Sequence, residues 1–167
     1  MANRDDPVLD HLATLGLEHE VMACDPDLAD TALFCEAYGI DPADSANAIL
    51  VAGKADHRPY ALCLVLATCR LDVNGVVRKR LGTRKASFAG ADETAELTGM
   101  LIGGVTPFGL PAPVPTWIDS RVMERVSVVI GGGSRDRKIR LAPTGLLALS
   151  GAEVVEDLAR SAPPHGV

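Results

Sequence analysis

Aromatic residues and long apolar runs are both scarce in this sequence of 167 residues. Phenylalanine, tryptophan and tyrosine make up only 4% of it, so a core must be built from valine, leucine, isoleucine and alanine. The 47% of hydrophobic residues suffice for one such core, and the length is that of one domain. No apolar run approaches a membrane span, and the first residues hold no signal-peptide core. We expect a soluble, cytoplasmic protein with no membrane partner.

The cysteines also lack the spacing of a metal site or a disulfide framework. None of the four belongs to a CxxC pair, and no histidine lies at the spacing of a zinc site. We therefore expect reduced thiols and no bound metal.

Positive charge is in deficit, since the net charge is −6. This excludes a protein that grips nucleic acid over its whole surface, because phosphate binding relies on clustered lysine and arginine. One local basic cluster is present, and it consists of Arg78, Lys79, Arg80, Arg84 and Lys85. It is either a solvated helix end, where cations complement the helix dipole, or a contact for a phosphate backbone.

Helix and strand patterns interleave without the regular alternation of a doubly wound sheet. Helices are predicted over residues 7–16, 31–38, 73–81, 93–97 and 143–151, with a helical turn over 120–124. Strands are predicted over residues 18–24, 47–52, 60–68, 126–130 and 138–141, and another should end at Asp119. This order indicates an α+β single domain with a mixed, curved β-sheet flanked by short helices. Residues 161–167 are predicted to form a disordered tail.

The stretch 98–119, TGMLIGGVTPFGLPAPVPTWID, is too broken for a helix and too hydrophobic for a solvated tail. Glycines at 103 and 104 would let a ligand approach the main chain, and Pro107 would fix the turn. The amides between Gly103 and Pro107 could then point at one spot, as a carbonyl or an oxyanion requires. The alternative is a proline-rich connection between two strands.

Six segments, taken in order, resemble the YbaK family, also called the prolyl-tRNA synthetase associated domain. They are CDPDLADTALFCEAYGI, SANAILVAGK, LDVNGVVRKRLG, GMLIGGVTPFGL, PTWIDSRV and VVIGGGSRDRKIRL. The resemblance covers roughly residues 25–158 and implies that residues 1–160 form a YbaK-like aminoacyl-tRNA editing domain. Its most specific piece is the GxxxP loop, which begins at Gly103.

The resemblance implies a free-standing aminoacyl-tRNA deacylase that serves translation fidelity. Such an enzyme hydrolyses the ester of a mischarged tRNA, needs neither metal nor cofactor, and has a synthetase as a second expected partner. The implied catalytic residues are Asn47, Gly103 and Asp119. The implied substrate-binding residues are Gly104, Val105, Thr106, Pro107 and Phe108. The basic cluster at Arg78, Lys79, Arg80, Arg84 and Lys85 is the implied contact for tRNA.

Two positions depart from the family pattern. Asn47 occupies the place of the family lysine, and an asparagine can donate a hydrogen bond but carries no charge. The tyrosine of the first strand has no counterpart in residues 18–24.

The alternative hypotheses are a catalytically impaired module that binds an aminoacyl group or a tRNA 3′ end, and an interaction domain for a synthetase. Asp119 could hold an α-ammonium, orient water, or only cap the turn at 120–124.

Overall fold

The computed structural model describes residues 6–162. Its short helices begin and end at residue types that favour helix ends. The helices are α1 (Pro7–Thr14), α2 (Thr31–Tyr38), α3 (Arg78–Leu81) and α4 (Ala91–Thr98). The Asp6 side chain accepts a hydrogen bond from Leu9 N at 3.1 Å and caps α1, and Pro7 fits its first turn. Gly39 and Gly99 end α2 and α4 in the left-handed conformation, with φ of 69° and 73°. None of the helices in the described range is long and apolar enough to cross a membrane.

The strands form three sheets within the described residues. They are β1 (Glu20–Ala23), β2 (Ala46–Gly53), β3 (Tyr60–Leu66), β4 (Cys69–Leu71), β5 (Ala86–Phe88), β6 (Thr116–Asp119), β7 (Val128–Gly131), β8 (Arg137–Leu141), β9 (Ala152–Val155) and β10 (Ala159–Ser161). The five-stranded sheet has the order β5-β2-β3-β6-β9, and it is mixed because β6 runs parallel to both of its neighbours. The sheet β1-β8-β7 is antiparallel, and β10 pairs with β4.

The five-stranded sheet is covered on both faces, which explains the nearly continuous apolar character of β2 and β3. Leu50, Leu62 and Leu64 belong to one buried cluster, while Val51 and Cys63 belong to a second cluster. Successive strand residues therefore alternate between two cores.

Strand β2 is paired along one edge but only in part along the other. It pairs with β3 over its length, whereas β5 pairs with it only at 51–53 and the preceding Ser45 bridges to Val129. Leu50 O accepts a hydrogen bond from Ala89 N at 2.9 Å, so the main chain of Ala48, two residues earlier, faces the same side. The segment between these two pairings leaves an open strand edge.

The structure confirms the predicted α+β class, the single domain and the mixed sheet. It corrects the C-terminal part, because the helical segment after Pro143 is a short 3-10 turn, Pro143–Ala148, and strands β9 and β10 follow. Strands of three or four residues are too short to show an alternating pattern. Ser161, which the prediction assigned to a tail, belongs to β10, and residues 163–167 lie outside the described range.

The close approach of β7 to the loop after α4 yields a test. A Cβ atom added at Gly131 would overlap the main-chain oxygen of Val105, which cannot rotate away as a side chain could. We expect Gly131→Ala to displace the loop and to lower the free energy of unfolding by about 1–3 kcal/mol, measured by chemical denaturation. Gly145→Ala is the control, since the nearest atom there is the movable end of Leu141 at 3.2 Å. Equal losses in the two variants would contradict this packing.

Candidate functional site

A cavity of about 410 Å³ lies between the open edge of β2, the loop after α4, and strands β7 and β8. Its wall is mostly apolar. The polar side chains among its lining residues are Asp30, Thr31, Ser45, Asn47, Thr94 and Lys138. Gly103 and Val105 bring the loop into the same wall, so Asn47 and the glycine loop both line this cavity.

Lys138 is the buried cation of this cavity, and sequence reasoning missed it. Strand β8 places Ile139 in the main core and turns Lys138 toward the smaller cluster around Phe34. Lys138 is 6% exposed, and its Nζ lies 5.3 Å from the centre of the Phe34 ring. Nζ donates hydrogen bonds to Ala29 O at 2.7 Å and Gly103 O at 2.8 Å. Burial lowers the pKa of this ammonium from its usual value.

The β7–β8 hairpin fixes three consecutive carbonyl groups of the loop. Arg135 Nη1 donates to Ile102 O at 2.7 Å, and Lys138 donates to Gly103 O. Gly133 N donates to the carbonyl oxygen of Gly104 at 2.8 Å. The position of the loop therefore depends on two cations and one amide of the hairpin.

The amides of the loop are less free than the sequence suggested. Gly104 N donates to Leu101 O at 2.9 Å, and Thr106 N donates to the Met100 sulfur at 3.4 Å. The amides of Gly103 and Val105 have no hydrogen-bond partner among residues 6–162, and both residues line the cavity. Gly103 has a φ of 97°, a backbone conformation that residues other than glycine rarely adopt.

Asn47 is oriented by a neighbour at the start of α2. Thr31 Oγ1 donates a hydrogen bond to Asn47 Oδ1. This contact occupies the acceptor of the amide and leaves its nitrogen to donate to a bound group.

Four of the predicted substrate-binding residues do not line the cavity. They are Gly104, Thr106, Pro107 and Phe108. Phe108 is fully buried and packs edge-on against the ring of His11, whose Nδ1 accepts a hydrogen bond from Gly109 N at 3.0 Å. Phe108 therefore anchors the loop against α1, a long-range contact that local sequence does not show.

Asp119 is not among the residues that line the cavity, and it makes no hydrogen bond to the loop or to Asn47 within residues 6–162. It is fully buried, and its Oδ1 accepts a hydrogen bond from Ala159 N at 3.2 Å. Arg121 Nη1 lies 3.5 Å from Oδ2 and also donates to Ala159 O at 2.6 Å. The side chain makes no capping bond to the turn Ser120–Glu124. It attaches β10 to the end of β6, so the structure places it away from any substrate in this cavity.

The basic cluster divides into engaged and exposed residues. Arg78 donates to the carbonyl oxygens of Asn74 and Thr83. Arg80 pairs with Glu153 at 2.6 Å and lies over the ring of Trp117. Lys79, Arg84 and Lys85 are exposed, and these three remain candidates for contact with a polyanion.

Comparison with known proteins identifies the family. The model of the aminoacyl-tRNA editing domain matches residues 25–149. The chain belongs to this family. The chain is 27% identical over 150 residues to the uncharacterized protein YwhH of Bacillus subtilis, covering 90% of this chain and 93% of that one. It is 26% identical over 78 residues to an Enterococcus faecalis protein named "Putative Cys-tRNA(Pro)/Cys-tRNA(Cys) deacylase EbsC", covering 47% of this chain and 48% of that one.

A solved structure of a similar protein has the same fold. It is described as "a putative trans-editing enzyme for prolyl tRNA synthetase", and it superposes with a TM-score of 0.79 at 27% identity. The match covers 93% of this chain and 96% of the other. The resemblance found in the sequence is therefore confirmed.

The contact of Lys138 with the loop can be tested by removing its charge. Lys138→Met keeps the length of the side chain but leaves the carbonyl groups of Ala29 and Gly103 without this donor. Unsatisfied buried groups cost about 1–3 kcal/mol, so we expect a loss of that size in chemical denaturation. Hydrogen exchange of the Gly104 amide should also accelerate. Lys79→Met is the matched control at an exposed site, and equal behaviour of both variants would refute the structural role of Lys138.

Proposed function

We propose that this protein is a hydrolase that cleaves the ester between a wrongly attached amino acid and the 3′ end of a tRNA. The observation that carries the proposal is that Asn47, Gly103 and Lys138 meet at one cavity. Membership of the aminoacyl-tRNA editing family supports it, as do relatives named for deacylation and trans-editing. The editing unit proposed for residues 1–160 would act in the cytoplasm on mischarged tRNA, alone or with a synthetase.

The cavity offers donors where an ester carbonyl would develop negative charge. An ester is activated, so positioning and electrostatic stabilisation can suffice without a strong base. The amide nitrogen of Asn47 and the main-chain N–H groups of Gly103 and Val105 would bind the carbonyl oxygen. The attacking group would be water or a hydroxyl of the terminal ribose.

Lys138 supplies a positive charge that Asn47 lacks. Its ammonium has three donors, of which two bind carbonyl groups in the structure. The third donor and the charge remain for the developing oxyanion or for a phosphate, and the low dielectric of a buried site strengthens both effects. Donor and charge would thus come from two strands rather than from one lysine.

The cavity wall also bears on the amino acid that would be bound. Val105, Val129 and Ile130 form part of an apolar surface that suits a small or medium side chain. Such pockets distinguish single methylene groups poorly, so we expect several related amino acids to be accepted. Asp30, the acidic residue of the wall, would attract the α-ammonium group in the role that the sequence suggested for Asp119.

The second candidate is a module that binds an aminoacyl group or a tRNA end without hydrolysing it. The observation that favours it is the neutral Asn47 at the position where the family carries a lysine. The two candidates differ in turnover and not in binding.

The test is ester hydrolysis over a panel of tRNAs that carry wrong small amino acids. We expect turnover by the wild type and a loss of about 100-fold in Asn47→Ala, the usual cost of removing one oxyanion donor. Thr31→Val should show a smaller loss, because it only frees the orientation of Asn47. Asn47→Lys should also lose activity, since a second ammonium would share the cavity with Lys138.

The exposed Val126→Ala serves as the control and should hydrolyse like the wild type. Full turnover in Asn47→Ala would remove Asn47 from the mechanism. A wild type that binds aminoacyl-tRNA and hydrolyses none of the panel would favour the binding module.

A further inference from the structure

We propose that the edge strand β5 binds the single-stranded 3′ end of a tRNA and that the terminal base stacks on Phe88. This inference rests on the proposed function, because it assumes that the ligand of the cavity is attached to a tRNA end. It adds a nucleobase subsite at the mouth of the cavity.

Phe88 is exposed to solvent although the chain contains few aromatic residues. The other two phenylalanines, Phe34 and Phe108, are fully buried, whereas Phe88 is 59% exposed at the end of β5. It also lines the cavity, so its ring stands at the boundary between cavity and solvent. An exposed ring gains nothing for the core, and it offers a flat face to a ligand.

The cavity wall carries a second exposed apolar residue, which also has an exposed apolar neighbour in the chain. Ile102 lines the same cavity and is 52% exposed, and the adjacent Leu101 is 63% exposed. Phe88 and Ile102 come from different parts of the chain, one from the edge strand and one from the loop. A planar base that stacks on the ring of Phe88 would therefore meet further apolar surface at the mouth of the cavity. Base stacking on an aromatic side chain tolerates any base, since every base has a π-face.

Exposed cationic residues lie on the chain just before β5, the strand that carries Phe88. Arg84 and Lys85 precede β5 and are exposed, and Lys54 N donates to Lys85 O at 2.9 Å, which places a third exposed cationic residue beside them. Three residues of extended chain separate Lys85 from Phe88, or about 10 Å. A phosphate backbone that follows this edge would meet the cations while its last base reaches the ring.

The basic residues beside Phe88 indicate which class of partner would bind there. An apolar patch alone could receive another protein, but this one adjoins basic residues on a chain whose net charge is −6. A polyanion would be repelled by most of such a surface and attracted to this edge. Single-stranded nucleic acid sites combine a basic track with an aromatic platform in this way.

The experiment uses an uncharged acceptor-stem hairpin RNA that ends in CCA, with 2-aminopurine in place of the terminal adenine. Stacking quenches the fluorescence of 2-aminopurine, and no hydrolysis is needed. We expect quenching on binding to the wild type. Phe88→Ala should lose the quenching and bind roughly 5- to 150-fold more weakly, as expected when one base stack is removed. Phe88→Tyr should retain both, and Val126→Ala is the control at another exposed apolar residue.

Removal of charge should act differently from removal of the ring. Lys85→Ala should weaken binding and reduce the salt dependence, by about 0.7 in the slope of log K against log salt for each phosphate that is no longer neutralised. The quenching at saturation should stay unchanged. Thermal unfolding of each variant establishes that it is folded.

The proposal is overturned if the wild type binds the hairpin without quenching, or if folded Phe88→Ala binds and quenches like the wild type. In the second case the patch belongs to another partner. Failure of the proposed function would look different, because quenching would persist while no aminoacyl-tRNA of the panel is hydrolysed.

Discussion

The buried ammonium of Lys138 is the contact on which the site depends. It joins three parts of the chain, namely strand β8, the segment before α2 through Ala29 O, and the loop through Gly103 O. A charge at this depth is tolerated because two carbonyl groups and the Phe34 ring surround it. The same contacts that satisfy the charge determine where Gly103 lies, so the electrostatics of the cavity and the shape of the loop cannot vary independently.

Asn47 and Lys138 differ in the chemical groups that they bring to the cavity. Asn47 on β2 lines the cavity and its side-chain oxygen accepts a hydrogen bond from Thr31, while Lys138 on β8 brings an ammonium group to the same cavity. A single lysine would combine both properties at one point. Asn47 can therefore be substituted without removing the charge, whereas a substitution of Lys138 also removes a contact that determines where Gly103 lies.

Much of the fold follows from local sequence. The Asp6 cap, the Gly39 stop of α2 and the apolar runs of β2 and β3 are each set by neighbouring residues. The cavity residues that could be found were those in the GxxxP loop and in the strand of Asn47. Lys138 and Asp119 could not be placed, because their surroundings come from distant residues: Phe34 for the first and Ala159 for the second. Nothing in the neighbouring sequence indicates that a lysine in an alternating strand is buried. Nor does the neighbouring sequence indicate which residue will bind an aspartate at a strand end.

The open edge of β2 has a consequence for how this protein avoids unwanted self-association. Unpaired strand edges are where separate chains add to one another, and proteins commonly protect them with charges, bulges or prolines. Here the unpaired segment faces a cavity, and the pairings at Ser45 and at 51–53 close it at both ends. Another chain therefore cannot reach it with a strand, although a molecule the size of an amino acid can. The fold therefore protects the unpaired edge of β2 from other chains while the cavity beside that edge stays open to a small molecule.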